Sequence, residues 1–213
     1  LRSLRPDVLT WGISATIGNL EEALDVLLGP RPNGEQVLIR TAQTKATEVI
    51  PIQPNRVERM PWAGHLGIHL LPKLIPIIRA SKSTLIFTNV RSQCEIWYRQ
   101  LMEAAPDLAG TTAIHHGSIS KEIRDWVETS LHEGKLSCVI CTSSLDLGVD
   151  FAPVETIVQI GGPKGIARFM QRAGRSGHNP TGMSRIYFLP THSLELIECA
   201  ALQSGLAQGE LEN

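Results

Sequence analysis

The chain has 213 residues, 42% hydrophobic and 19% charged, with 20 basic against 21 acidic side chains and a net charge of −1. That composition excludes a disordered chain, and 18 glycines with 13 prolines are too few for a collagenous or low-complexity one. It also excludes a global positive field acting on nucleic acid, so phosphate binding has to come from local clusters.

No apolar run is long enough to cross a membrane, and we expect no membrane partner. At roughly 150 residues per domain the length predicts one large domain, or one and a half small ones. The opening Leu1-Arg-Ser-Leu-Arg5 lacks Met and the apolar core of a signal peptide, so we expect a stretch from the middle of a longer chain. Four cysteines are sparse for a disulfide scaffold and suit a reducing cytoplasm.

In chain order, residues 8–14 predict a strand containing a core Trp11, and residues 20–28 a helix ended by Gly29 and Pro30. Both read as the tail of a preceding α/β domain. Residues 37–54 alternate apolar and polar side chains. That predicts a two-stranded excursion whose second strand Pro51 and Pro54 confine to an edge. Residues 65–79 predict a helix that Pro72 and Pro76 kink or split.

From residue 83 onward, strand and helix alternate. Strands are predicted over 83–88, 112–115, 136–142, 155–160 and 185–189. Helices are predicted over 91–105, from Ser120 to a stop at Gly134, over 166–173 and over 191–204. Cys94, Trp97, Leu101 and Ala105 form one helix stripe, and Ile123, Val127, Ser130 and Leu131 another; Trp97 and Trp126 are expected in the core. Strands apolar on both faces, separated by helices, imply a parallel sheet covered on both sides. The fold class is a three-layer α/β domain whose ligand edge is the loops after residues 88, 115, 142 and 160.

Some residue pairs have a plain reading. Cys138-Val-Ile-Cys141 has zinc-knuckle spacing, yet on a strand the two side chains face opposite ways, so both are read as core. His65 and His69, four residues apart, lack a third ligand and are read as an ordinary helix face. Trp62 is read as a packed linker tryptophan. No metal site is expected.

Chemistry concentrates in two stretches. Between Glu155 and Glu195 there is no acidic residue, while Lys164, Arg168, Arg172, Arg175 and Arg185 all lie there. On a helix, Arg168, Arg172 and Arg175 share a face, with Phe169, Met170 and Ala173 turned to the core. Such a face repels itself and is expected to need an anion from outside. Gly174 and Gly177 leave room for a close phosphate. The second stretch is Thr142-Ser-Ser-Leu-Asp-Leu-Gly-Val-Asp150, on the predicted ligand edge, where three consecutive hydroxyls suit phosphate oxygens.

These residues fall into a pattern. Gln171-Arg-Ala-Gly-Arg-Ser-Gly177 resembles motif VI of superfamily 2 helicases, and residues 142–150 resemble motif V. Ile86-Phe-Thr-Asn-Val-Arg91 resembles motif IV, and His115-His-Gly-Ser118 the short motif between IV and V. Ser14-Ala-Thr16 resembles motif III, which closes a first RecA-like domain. Ser-Ala-Thr alone carries almost no information; the motifs in correct order over residues 14–178 are specific. Residues 60–67 and Pro190-Thr-His-Ser-Leu-Glu195 resemble the large-helicase-related (Lhr-type) group, most like its DNA-ligase-associated DExH branch.

The resemblance implies two RecA-like domains clamping ATP while tracking a single strand. It divides the chain into the end of the first domain (1–30), a linker with a β excursion and entry helix (31–80), the second RecA-like domain (81–190), and a connection to a winged-helix domain (191–213). It implies a DNA helicase moving 3′ to 5′, with RNA or RNA–DNA hybrid helicase, or a binding module without motor activity, as alternatives. ATP and Mg2+ would be held mainly by the first domain, because this chain has no Gly-x-x-x-x-Gly-Lys-Ser/Thr loop and no Asp-Glu-x-His box. The chain alone is therefore expected not to hydrolyse ATP.

The match also implies roles for individual residues. Arg175 would be the arginine finger, with Arg172 and Gln171 positioning the nucleotide or coupling it to motif III. Gly148 and Asp150 would touch its ribose side. His178 stands where many family members carry a second arginine, and histidine there agrees with the Lhr-type group. Thr88, Arg91, His116, Gly117, Thr142 and Ser143 would hold the strand's phosphates, and Ser14 and Thr16 would couple hydrolysis to the strand. Ligase and nuclease partners, DNA repair and a place beside the bacterial nucleoid are family-level expectations.

Overall fold

The computed structural model describes residues 9–14, 17, 19–29, 36–39, 47–54, 66–146, 154–176 and 184–208. Six strands form one sheet: β1 (Thr47–Pro51), β2 (Thr84–Phe87), β3 (Thr112–His115), β4 (Cys138–Cys141), β5 (Thr156–Ile160) and β6 (Ser184–Leu189). Their order is β1-β6-β5-β2-β4-β3, and every pairing is parallel. Parallel strands need crossovers, and helices supply most of them. The helices are α1 (Leu20–Leu28), α2 (Leu71–Ala80), α3 (Arg91–Ala104), α4 (Lys121–His132), α5 (Ile166–Ala173) and α6 (Ser193–Gln208).

The alternation of side chains along each strand builds two cores. Leu85, Phe87, Val139, Cys141, Ile157, Ile186 and Phe188 face α4, α5 and α6 through Val127, Leu131, Phe169, Ala173, Cys199 and Leu202. Ile86, Cys138, Ile140, Val158, Ile160 and Leu189 face α2 and α3 through Leu71, Leu74, Ile75, Ile78, Cys94, Trp97 and Leu101. Each buried Leu, Ile or Phe stabilises the fold by about 1.5–3 kcal/mol. Cys138 and Cys141 fall in opposite cores, and burial pushes the Cys138 thiol up to about 12, so it stays protonated and inert.

Several expectations need correction. Residues 9–14 form no strand, and Trp11 is 83% exposed, because no strand among the described residues offers them a ladder. Of the two strands expected within 37–54, one is present among the described residues, and residues 40–46 lie outside them. The strand present is β1, which joins β6 as the sheet edge rather than an excursion, and ends on Pro51 where an edge tolerates it. Residues 66–67 are irregular, Ile68–Leu70 is a 3-10 turn, and α2 follows unbroken. Pro72 sits in the first turn of α2, where no intrahelical donor is required, and Pro76 removes a single rung.

The division of the chain changes too. β1 and α2 belong to the sheet domain, so it begins well before residue 81. α6 carries Cys199 and Leu202 into the core and packs on β1, so residues 193–208 are joined to this sheet. Trp97 is fully buried, and its Nε1–H donates to the Leu66 carbonyl at 2.9 Å. Trp126 is 57% exposed and Ile123 53%, because α4 lies against the edge strand β3 and meets the sheet through a narrow stripe. His69 is exposed, while His65 and Trp62 lie outside the described residues.

Candidate active site and nucleic-acid interface

All six strands run the same way, so one rim gathers every loop that follows a strand. Thr88 follows β2, His116 follows β3, Thr142 follows β4, Gly161 follows β5 and Pro190 follows β6. After β4 the chain makes a 3-10 turn over Ser143–Leu145, closed by the Asp146 N–H donating to the Ser143 carbonyl at 3.1 Å.

That turn places Asp146 beneath α5. Arg172 is 1% exposed and donates through Nε and Nη2 to the two Asp146 carboxylate oxygens at 2.8 and 3.2 Å. Its Nη1 donates to Gln159 Oε1 at 2.5 Å, and its guanidinium carbon lies 4.7 Å from the centroid of the Phe87 ring. The planar fork satisfies both carboxylate oxygens at once, which is the geometry that offsets burial of two charges. Arg168 Nε stands 3.7 Å from the same carboxylate. The arginine face of α5 therefore finds its anion inside the chain. The expectation of an external anion for Arg172 is corrected: the needed carboxylate sits 26 residues earlier, and the fold closes the gap.

Gln159 carries a signal of its own in the sequence. A glutamine in the middle of a strand buried on both faces requires partners. Its Nε2 donates to the carbonyls of Ile160 and Gly161, at 3.1 and 2.9 Å, while its oxygen accepts from Arg172. Glu195 is a second anchor. Its carboxylate accepts the N–H groups of Gly162 at 2.6 Å and Thr191 at 2.5 Å, tying the loops after β5 and β6 together. Asn89 Nδ2 donates to the Gly162 carbonyl at 2.9 Å and adds the loop after β2. Gly161, with φ 75°, makes the turn that brings these groups into register.

Arg175 stands at the C-terminal end of α5, half-buried on the rim. Its Nη2 donates to the main-chain carbonyl of Asp146 at 3.1 Å. Gln171 is also half-buried on α5. Gly148, Asp150 and His178 lie outside the described residues, as does Thr16; Ser14 is exposed within residues 9–14.

The strand-facing residues divide. Arg91 opens α3 with a side chain 60% exposed; its Nη1 donates to Ser118 Oγ at 3.1 Å and its Nε lies 3.6 Å from Glu95. Gly117, Ser118 and Ser143 are exposed, and Thr142 is half-buried. Thr88 is fully buried, and its hydroxyl donates toward the carbonyls of Cys141 and Val90, at 3.1 and 3.3 Å, so as placed it reaches no phosphate. His116 is 4% exposed; its Nδ1 accepts the Ser118 N–H at 3.3 Å, and its Nε2 lies 3.5 Å from Glu95. It shapes the loop instead of presenting a cation. Ser144, the third hydroxyl of the run, turns inward to His115.

Burial pushes both His115 and His116 below the ordinary imidazole value. A buried neutral imidazole binds its proton less readily than it does in the unfolded chain. The stabilisation is therefore complete above about pH 6.5 and is lost as the pH falls below it. We expect the melting temperature to drop by roughly a few degrees between neutral pH and about pH 5.5. The drop should shrink in His116→Asn, whose side-chain oxygen still accepts the Ser118 N–H; scanning calorimetry at the two pH values checks it.

A parallel sheet of this order, with arginines of one short helix gathered at its carboxyl rim, defines a RecA-like α/β domain. The family model "helicase conserved C-terminal domain" matches residues 67–179. The chain belongs to that family and, within superfamily 2, to the Lhr-type helicases. It is 33% identical over 211 residues to an ATP-dependent helicase Lhr-Core protein 2 of Thermococcus barophilus, covering 95% of this chain and 24% of that protein. It is 33% identical over 242 residues to the Lhr helicase/uracil glycosylase of Escherichia coli, covering 95% of this chain and 16% of that protein. Among solved structures it resembles the Mycobacterium smegmatis helicase Lhr bound to single-stranded DNA and AMP-PNP. There the identity is 30% and the TM-score 0.77, over 94% of this chain and 26% of that one. The chain thus spans about a quarter or less of the relatives it matches. No helix among the described residues is long and apolar enough to cross a membrane.

Proposed function

We propose that this chain is the second motor lobe of an ATP-dependent DNA helicase, coupling ATP hydrolysis to 3′-to-5′ movement on a single strand. One observation carries the reading. Arg175 is held by the Asp146 carbonyl on the same rim that exposes Arg91, Gly117, Ser118 and Ser143. Nucleotide-facing and strand-facing groups thus share the turn Ser143–Leu145 and its neighbours.

ATP, when bound against a first lobe, supplies the phosphoryl group. Arg175 would stabilise the charge that develops on the transferred phosphoryl group, and Gln171 would help orient the nucleotide. Gly148, Asp150 and His178, outside the described residues, are assigned to the nucleotide by the motif match alone. Mg2+ belongs to the first lobe, whose phosphate loop and acidic box this chain lacks. Arg172, saturated by Asp146 and Gln159, is a strut that sets the position of α5. Residues 1–30 close the first lobe, with Ser14 and Thr16 relaying the strand's presence to the nucleotide. Resemblance to the ligase-associated branch extends the reading to ligase and nuclease partners in DNA repair, working in the cytoplasm beside the nucleoid. The RNA or RNA–DNA hybrid reading is the alternative, since phosphate contacts serve both polymers.

The test is ATP hydrolysis and unwinding by the two-lobe protein on matched DNA, RNA and hybrid substrates. Strand-stimulated hydrolysis with preferred DNA unwinding is the expected result. Stimulated hydrolysis by this chain alone would overturn the half-motor reading. Thr142→Ala in the two-lobe protein is expected to weaken single-strand binding about tenfold and uncouple hydrolysis from movement, with unstimulated hydrolysis kept. Strand titration by fluorescence anisotropy beside an ATPase assay checks it; a lost ATP affinity would place Thr142 on the nucleotide side.

A further inference from the structure

One buried titratable group takes no part in the roles assigned above. His115, the last residue of β3, is 1% exposed. Its Nε2 lies 3.0 Å from Glu128 Oε1 on α4, and its Nδ1 lies 2.7 Å from Ser144 Oγ. The same Oγ is 3.0 Å from the His115 carbonyl, which also accepts the Thr142 N–H at 3.2 Å. One residue therefore joins β3, α4 and the turn after β4. Serine, histidine and a carboxylate also make hydrolase triads, but here Oγ is held between the ring and the carbonyl of the same histidine, which makes it a tether.

Burial pushes the ring below the ordinary imidazole value, although Glu128 opposes the shift. A neutral ring has a single N–H, and the carboxylate claims it at Nε2. The single Ser144 hydroxyl hydrogen lies between two acceptors, Nδ1 at 2.7 Å and the His115 carbonyl at 3.0 Å, and either hydrogen bond ties the turn to β3.

The position of this tether gives it consequence. Gly117 and Ser118, on the strand side, lie two and three residues after His115. Ser143 immediately precedes Ser144. Asp146 lies two residues beyond it and holds Arg172 through its carboxylate and Arg175 through its carbonyl. We propose that His115 is a positioning residue that clamps the turn at Ser143–Leu145 to α4, so that a strand pressing on the loops at 117–118 and 143 moves Asp146 and Arg175 as one block. The inference rests on the motor reading and deepens it: strand sensing reaches the arginine through His115.

The test uses Glu128, which is only partly buried and touches neither strand nor nucleotide in this reading. Glu128→Leu removes the acceptor for Nε2–H; Glu128→Gln keeps an oxygen there. In the two-lobe protein, Glu128→Leu is expected to raise the single-strand concentration giving half-maximal ATPase stimulation about tenfold, with unstimulated hydrolysis unchanged and Glu128→Gln close to wild type. Wild-type stimulation in Glu128→Leu overturns the proposal. So does a parallel fall of stimulated and unstimulated rates at an unchanged strand requirement, which a merely structural role would produce. A wild-type protein that no strand stimulates sinks the motor reading itself, a distinct outcome.

Discussion

Replacing Arg175 with alanine in the two-lobe protein is expected to lower ATP turnover by about three to five orders of magnitude, with single-strand affinity kept within a few-fold. The guanidinium is half-buried at the rim, and its Nη2 donates to the Asp146 carbonyl at 3.1 Å. The main chain at this position stays tied after truncation, because the Val154 N–H donates to the Arg175 carbonyl at 3.0 Å and the Arg175 N–H to that of Arg172 at 3.0 Å. The loss therefore falls on transition-state charge. Arg175→Lys should restore only part of the rate, because an ammonium keeps the charge and loses the planar fork. Single-turnover ATP hydrolysis separates this from slow product release. Turnover within a few-fold of wild type would remove Arg175 from the finger role.

Arg172→Leu is expected to produce the second large effect, on the fold rather than on the chemistry. It leaves the Asp146 carboxylate, itself 6% exposed, without its fork and with Arg168 only at 3.7 Å. Breaking a buried pair in this way costs about 3–5 kcal/mol. Urea unfolding of the chain reads it directly. Replacing both partners, Arg172→Leu with Asp146→Leu, should recover most of that loss, because no charge is then stranded. The double variant also separates two roles for Arg172. The carbonyl that anchors Arg175 belongs to the main chain and survives both substitutions. Turnover that returns with stability makes Arg172 a strut; turnover that stays lost in a stable double variant makes it a nucleotide contact.

The two variants act on one turn from opposite sides. Asp146 holds a buried arginine with its carboxylate and a rim arginine with its carbonyl. Arg168, Arg172 and Arg175 follow one helical spacing, yet Arg172 is 1% exposed, Arg168 has a side chain 43% exposed, and Arg175 is intermediate. Helical spacing assigns residues to a face. It does not say which part of that face a neighbouring loop will cover.

Local chemistry along the chain was enough for much of this protein. Runs of β-branched and apolar residues bounded by turn signals located β3 and α5 with their ends, and the alternation of strands with helices determined a parallel sheet and therefore a single rim for every loop. The ordered motifs over residues 14–178 singled out the rim around Thr142 and Arg175. Tertiary structure alone decided the rest. Asp146 meets Arg172 across 26 residues, Glu195 meets Gly162 across 33, and His115 meets Ser144 across 29. It also decided that Thr88 and His116 are buried beneath the surface that Gly117 and Ser143 present. Periodicity reports which way a side chain leaves its own element; whether water, a carboxylate or another strand waits there depends on segments distant in sequence, and only packing brings those together.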